Sequence, residues 1–159
     1  MNKKLTPKQI EMIHSMLRVD QAGEIGADSI YKGQHYILKN NQTLGPLIQH
    51  MWDQEKHHLS TMNKLVAEHR VRPSLLEPVW KTAGFALGTM SALLGKESAM
   101  ALTEAVETVI GEHYNDQIRE LLLIEGVEEI DELREIIKKF RDEELEHLNL
   151  AVDNDSKTV

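Results

Sequence analysis

Apolar positions recur at intervals of three and four along four long stretches of the chain, the period of a helix with one buried face. In the second stretch the inward row reads Ile48, Met51, Glu55, His58, Met62, Leu65 and His69, and in the fourth Ile130, Leu133, Ile137, Phe140, Glu144, His147 and Ala151. The first gives Ile10, Ile13, Leu17, Glu24, Ala27 and Tyr31; the third gives Met100, Thr103, Glu107, Ile110, Tyr114 and Leu121. Thr6-Pro7-Lys8-Gln9 reads as a helix start, a hydroxyl cap followed by proline in the first turn. Asn40 to Pro46 closes that helix, and Gly126 separates the last two. The pattern predicts helices over about 7–39, 47–69, 97–124 and 127–152, within one domain spanning 1–159. A crossover over 71–97 carries Pro73, Pro78 and a short apolar helix from Ala83 to Gly95, and a polar tail follows the last helix. Short links inside each pair and one long link between pairs predict an all-α four-helix bundle of two antiparallel hairpins.

Composition narrows the chemistry. Only 9 Gly and 4 Pro in 159 residues leave little turn material for an all-β fold. The formal charge of -8 argues against a nucleic-acid face, which needs a basic surface. With no cysteine, thiolate nucleophiles, disulfides and Cys-held clusters are excluded, and a metal must be held by carboxylate and imidazole. No apolar run reaches the roughly 18 residues of a membrane span, and neither a secretory h-region nor a transit-peptide pattern stands at the start, so the expected compartment is cytoplasmic.

Each of the four inward rows carries a carboxylate where packing alone would place leucine. A buried, unpaired carboxylate costs several kcal/mol or is driven neutral, and four converging would repel one another. Cations answer both problems. One helix of each hairpin supplies a single Glu, Glu24 or Glu107, and the other supplies Glu and His at i, i+3, Glu55 with His58 and Glu144 with His147. Residues three apart share a helix face, so both groups reach one ion, and four carboxylates with two imidazoles form the set that two iron or manganese ions take in a bundle. Glu-x-x-His occurs three times, where chance at this composition supplies about one. The third pair, Glu11 and His14, has no counterpart in the other hairpin and is expected to be incidental.

Longer motifs point to a family. Arg18 to Ala27 (RVDQAGEIGA), Met51 to Leu59 (MWDQEKHHL), Arg70 to Pro73, Gly84 to Gly88, Leu93 to Glu97, Ala105 to Glu107, His113 to Asn115 and Phe140 to His147 (FRDEELEH) resemble, in order, those of the demethoxyubiquinone hydroxylases of ubiquinone biosynthesis. These are ferritin-like di-iron carboxylate proteins, and the resemblance covers roughly residues 12–155. It implies a ferritin-like bundle whose metal ligands are Glu24, Glu55, His58, Glu107, Glu144 and His147, the six already chosen from the inward rows. It implies two iron ions, O2, and hydroxylation of the ring of a polyprenylated methoxy-methyl-benzoquinol. The resemblance implies NADH as the electron donor, although no Gly-x-Gly-x-x-Gly follows a strand pattern and the chain has no Rossmann site for it. His113 and Tyr114 match positions implicated in an electron relay from that donor.

A polyprenyl quinone lies in a membrane. The uncharged run from Thr82 to Gly95 is too short to span but fits an interfacial segment, and Gly84-x-x-x-Gly88 equally suits close packing on the bundle. The expected setting is peripheral, on the cytoplasmic face of a bacterial inner membrane, as a homo-oligomer or within a ubiquinone-biosynthesis complex. Two other readings use the same pattern: a ferritin-like ferroxidase or iron-handling protein, and a metal-free helical interaction module.

Overall fold

The computed structural model describes residues 3–154; the last five residues of the expected polar tail, 155–159, lie outside the described residues. Five helices follow in order: α1 Pro7–Leu38, α2 Leu44–Glu68, α3 Glu77–Leu93, α4 Lys96–Leu121 and α5 Glu128–Asp153, with no strand among the described residues. α1 pairs with α2 and α4 with α5, giving the two hairpins, and α3 lies along α1 as the crossover.

Local chemistry fixes the ends. At the start of α1, Gln9 N donates to Thr6 Oγ1 at 3.2 Å while Thr6 N donates to Gln9 Oε1 at 2.9 Å, a closed capping box with Pro7 in the first turn. α2 begins at Leu44, three residues before the expected 47. Asn41 Oδ1 accepts from Thr43 N and Leu44 N, and Pro46 falls in the first turn, where a missing N–H costs no helical bond. Past α2 the chain reverses at Arg70 (φ 53°), and Val71 N donates back to Val66 O at 2.9 Å. α2 thus ends at Glu68, one residue from the expected 69 and ahead of Pro73. α4 ends at Leu121 rather than 124, where Arg134 of α5 donates to the freed carbonyls of Leu121 and Ile124 at 3.3 and 3.4 Å.

The crossover departs most from expectation. Its helix is 17 residues long and starts at Glu77, because Pro78 sits in its first turn and begins the helix instead of breaking it. Gly84 and Gly88 set its distance from α1: a Cβ on Gly88 would stand 2.0 Å from Ile30 O, and one on Gly84 2.8 Å from Gly26 O. The side of the segment away from α1 is apolar and exposed at Leu75, Met90, Leu93 and Leu94, with Leu87 exposed at its edge.

The inward rows are buried as predicted, with departures at the edges. Ile10 is 41% exposed in the first turn of α1, where no neighbouring helix covers it, and Ile110 and His69 are half-buried. Two apolar clusters result. One gathers Ile13, Leu17, Met62, Leu121, Ile137 and Phe140; the other gathers Leu44, Ile48, Met51, Met100 and Ala151. Between them along the bundle lies a layer of buried acids and histidines.

Candidate metal centre

Glu24 of α1, Glu55 and His58 of α2, Glu107 of α4 and Glu144 and His147 of α5 meet in that layer, each 0–1% exposed. They form two groups with ligand atoms within 4.8 Å of one another: Glu24, Glu55, His58 and Glu144, and Glu55, Glu107, Glu144 and His147. Glu55 and Glu144 belong to both, and each turns a different oxygen to each half. His58 Nδ1 lies 3.6 Å from Glu55 Oε2 and 2.9 Å from Glu144 Oε1, whereas His147 Nδ1 lies 3.0 Å from Glu55 Oε1 and 3.4 Å from Glu144 Oε2. In this disposition Glu55 and Glu144 would each offer one oxygen to a cation in either half, and Glu24 and Glu107 would complete the two sets.

The electrostatics ask for positive charge. Burial, reinforced by the neighbouring charge of Glu55, pushes the carboxyl of Glu24 well above the usual carboxylate range. Burial does the same to Glu144, helped by Glu55 and Glu107. Burial also opposes ionisation of Glu55, but the imidazoles of His147 and His58, at 3.0 and 3.6 Å, outweigh it and hold that carboxyl below its ordinary value. For the imidazoles burial favours the neutral form, yet the surrounding carboxylates raise His58 to about 9 and His147 to about 12. The layer thus gathers protons where it lacks cations. On the four glutamates five buried oxygens have no hydrogen-bond partner: Glu24 Oε2, both of Glu55, Glu107 Oε2 and Glu144 Oε2. Hard oxygen donors, two imidazoles and unpartnered lone pairs aimed at a common centre fit a pair of iron or manganese ions.

The surroundings hold these groups in place. Tyr31 Oη donates to Glu107 Oε1 at 2.5 Å, and Tyr114 Oη donates to Glu24 Oε1. His58 Nε2 lies 2.6 Å from Glu143 Oε2, His147 Nε2 contacts Gln54 Oε1, and the His58 ring stacks on Phe140 with centroids 4.1 Å apart. Acceptors at both Nε2 atoms require a proton there and leave both Nδ1 atoms free to ligate. Of the two residues expected in a relay, Tyr114 is brought to the centre, while His113 is exposed in a surface groove with Met12, Val19 and Gln117. Glu11 is exposed and His14 half-buried, and neither enters the cluster. Sequence reasoning missed Gln54 and Glu143, although each immediately precedes the Glu of a Glu-x-x-His, and it missed the buried Asp20, which accepts from Gln117 at 2.7 Å.

The family described as ubiquinone biosynthesis protein COQ7 matches residues 11–159. The chain belongs to the COQ7 family. It is 53% identical over 147 residues to the "NADPH-dependent 3-demethoxyubiquinone 3-hydroxylase, mitochondrial" of Dictyostelium discoideum, covering 92% of this chain and 66% of that one. It is 49% identical over 163 residues to the "5-demethoxyubiquinone hydroxylase, mitochondrial" of Saccharomyces cerevisiae, covering 96% and 70%. Against the "3-demethoxyubiquinol 3-hydroxylase" of Rhodospirillum rubrum it is 46% identical over 151 residues, covering 95% and 69%. The chain spans about two thirds of the length of these COQ7 relatives. The first of these relatives is named for NADPH, where the family resemblance implied NADH.

Proposed function

We propose that this COQ7-family chain is a di-iron monooxygenase that hydroxylates the ring of a demethoxyubiquinol, with Glu24, Glu55, His58, Glu107, Glu144 and His147 as the metal ligands. The observation that carries the reading is the pair of four-residue groups sharing Glu55 and Glu144. The names of its relatives support the substrate and reaction class and favour hydroxylation over iron handling. A bound di-iron pair supplies the activation of O2.

The chain's own residues do the rest. Glu55 and Glu144 hold the two halves together, and Tyr31 and Tyr114 fix Glu107 and Glu24 through their hydroxyls. Phe140 and the two apolar clusters keep water from the layer. An apolar groove of about 460 Å³ runs between α1, α3 and α4, lined among others by Gly23, Gly26, Trp80, Leu87 and Val106. Gly23 and Val106 adjoin Glu24 and Glu107, so a quinol ring entering here approaches the centre from the side of its end ligands. No helix among the described residues is long and apolar enough to cross a membrane. The exposed apolar side of α3 instead suits an interfacial position beside the groove, from which a polyprenyl lipid passes without crossing water. A reduced nicotinamide dinucleotide is the source of electrons in this reading, with Tyr114 beside Glu24 on their route and His113 at the surface. We assign the chain a peripheral place on a quinone-bearing membrane, the inner membrane in a bacterium. The test is turnover: protein loaded with Fe(II) without air, reduced, given a demethoxyquinol and a pulse of O2, should yield a product heavier by one oxygen atom. A loaded, reduced centre that consumes O2 and leaves the quinol unchanged rejects the reading.

A further inference from the structure

The two halves of the metal layer repeat one another beyond the six candidate ligands. A tyrosine stands seven residues after Glu24 and after Glu107 (Tyr31, Tyr114), and a glutamine ten residues after (Gln34, Gln117). Each crosses to the other helix. Tyr31 reaches Glu107 and Tyr114 reaches Glu24, while Gln34 comes within 3.5 Å of Thr103 Oγ1 and Gln117 within 2.7 Å of Asp20 Oδ1. On α2 and α5, the residue before each paired glutamate likewise crosses to the imidazole of the other helix, Gln54 to His147 and Glu143 to His58.

This pseudo-two-fold pattern breaks at two places, and both breaks fall on one side. Glu143 corresponds to Gln54, and Asp20 corresponds to Thr103. The half built on Glu24 and His58 is therefore backed by two carboxyl side chains, the half built on Glu107 and His147 by an amide and a hydroxyl. The nearest donors do not differ: each half has one end glutamate, one imidazole Nδ1 and one oxygen from each of Glu55 and Glu144. Any inequality must come from behind them.

Resting on the two-metal reading above, we infer that the halves are unequal cation sites, the Glu24–His58 half being the tighter because the His58 imidazole donates to the carboxylate of Glu143 where His147 donates to a neutral amide. A carboxylate acceptor strengthens the hydrogen bond and makes the opposite ring nitrogen a better donor to a cation, and an amide orients the ring without that gain. Glu143 is placed to do so: its side chain is 22% exposed and its Oε2 is 2.6 Å from Nε2 of a fully buried ring. It is a positioning residue, acting on the cation only through His58.

The test is titration of the metal-free protein with Co(II), followed by calorimetry and by the visible bands of the bound ion. Two steps are expected, separated at least tenfold in Kd. Glu24→Ala should remove the tighter step and Glu107→Ala the weaker. Glu143→Gln should weaken the tighter step about 10–100-fold and shift its visible bands while leaving the weaker step in place, and Gln54→Glu should tighten the weaker step. Equal steps in the unaltered protein, a tight step that survives Glu24→Ala, or equal weakening of both steps by Glu143→Gln overturns the inference. Should Glu143→Gln fail to fold, Gln54→Glu decides alone, and no tightening there overturns it. A folded protein that takes up no Co(II) overturns the metal reading itself, an outcome distinct from two equal sites.

Discussion

Stripping divalent metal from the centre should lower the melting temperature at neutral pH by roughly 10–20 °C. Glu24, Glu55, Glu107 and Glu144 are 0–1% exposed and keep five oxygens without a hydrogen-bond partner, so without cations the fold must protonate, strain or open this layer. A ligand that binds only the folded state adds about 2.7 kcal/mol at a hundredfold excess over its Kd, hence about 5 kcal/mol for two such sites. For a domain of this size each kcal/mol moves the midpoint by about 2–4 °C, which gives the stated range. The assay is scanning calorimetry of metal-free and Fe(II)- or Co(II)-loaded protein, with metal content measured on the same samples. Glu55→Ala and Glu144→Ala each take a carboxylate from both halves, and each should abolish most of the metal-dependent shift. Glu11→Ala and His14→Ala, outside the cluster, should leave it intact. Superimposable curves for metal-free and demonstrably loaded protein would refute the reasoning, because carboxylates this buried cannot gain two cations without a change in folding energy.

Metal-free protein should also lose stability as pH rises. His58 sits near 9 in the fold against an ordinary 6.5, so its contribution is complete below about 6.5 and gone above about 9. The raised carboxyls of Glu24 and Glu144 act with the same sign from lower pH, and denaturant midpoints that climb between pH 6.5 and 9 would contradict this. Gly23→Leu should put a side chain into the apolar groove, where a Cβ at Gly23 meets nothing within 4 Å. Folding and metal uptake should hold while turnover of the quinol drops at least tenfold; unchanged KM and kcat would remove the groove from the substrate's path. Leu87→Lys puts an ammonium on the exposed side of α3, where Leu87 is 51% exposed. Liposome partitioning should fall about tenfold or more, about 1.4 kcal/mol, with metal content unchanged, and equal partitioning would exclude this side as the membrane contact. Tyr114→Phe deletes the hydroxyl that donates to Glu24; metal should stay bound, while turnover driven by a nicotinamide donor should fall further than turnover of chemically reduced enzyme. Equal loss in the two assays would leave Tyr114 a purely structural hydroxyl.

By itself the sequence determined the four long helices, their pairing and the six residues of the centre. Helical period makes a buried face legible, and a Glu or His inside an apolar row stands out because hydrophobic burial would never select it there. Glu55, His58, Glu144 and His147 could be read this way from spacing alone, and Glu24 and Glu107 followed from their place in the repeat. What only the tertiary structure decided lies off those rows or between helices. Pro78 could be read as a breaker or a first-turn residue, and the docking of α3 on α1 through Gly84 and Gly88 made it the latter. His113 and Tyr114 are neighbours in sequence, yet the roughly 100° between successive residues of a helix sends one to the surface and the other to Glu24. Gln54 and Glu143 look like solvated helix residues until α2 and α5 are set side by side, when each proves to reach the histidine of the other helix. Their roles come from contacts 85 and more residues apart in the chain, and a local period carries no information about which distant side chain will stand 3 Å away.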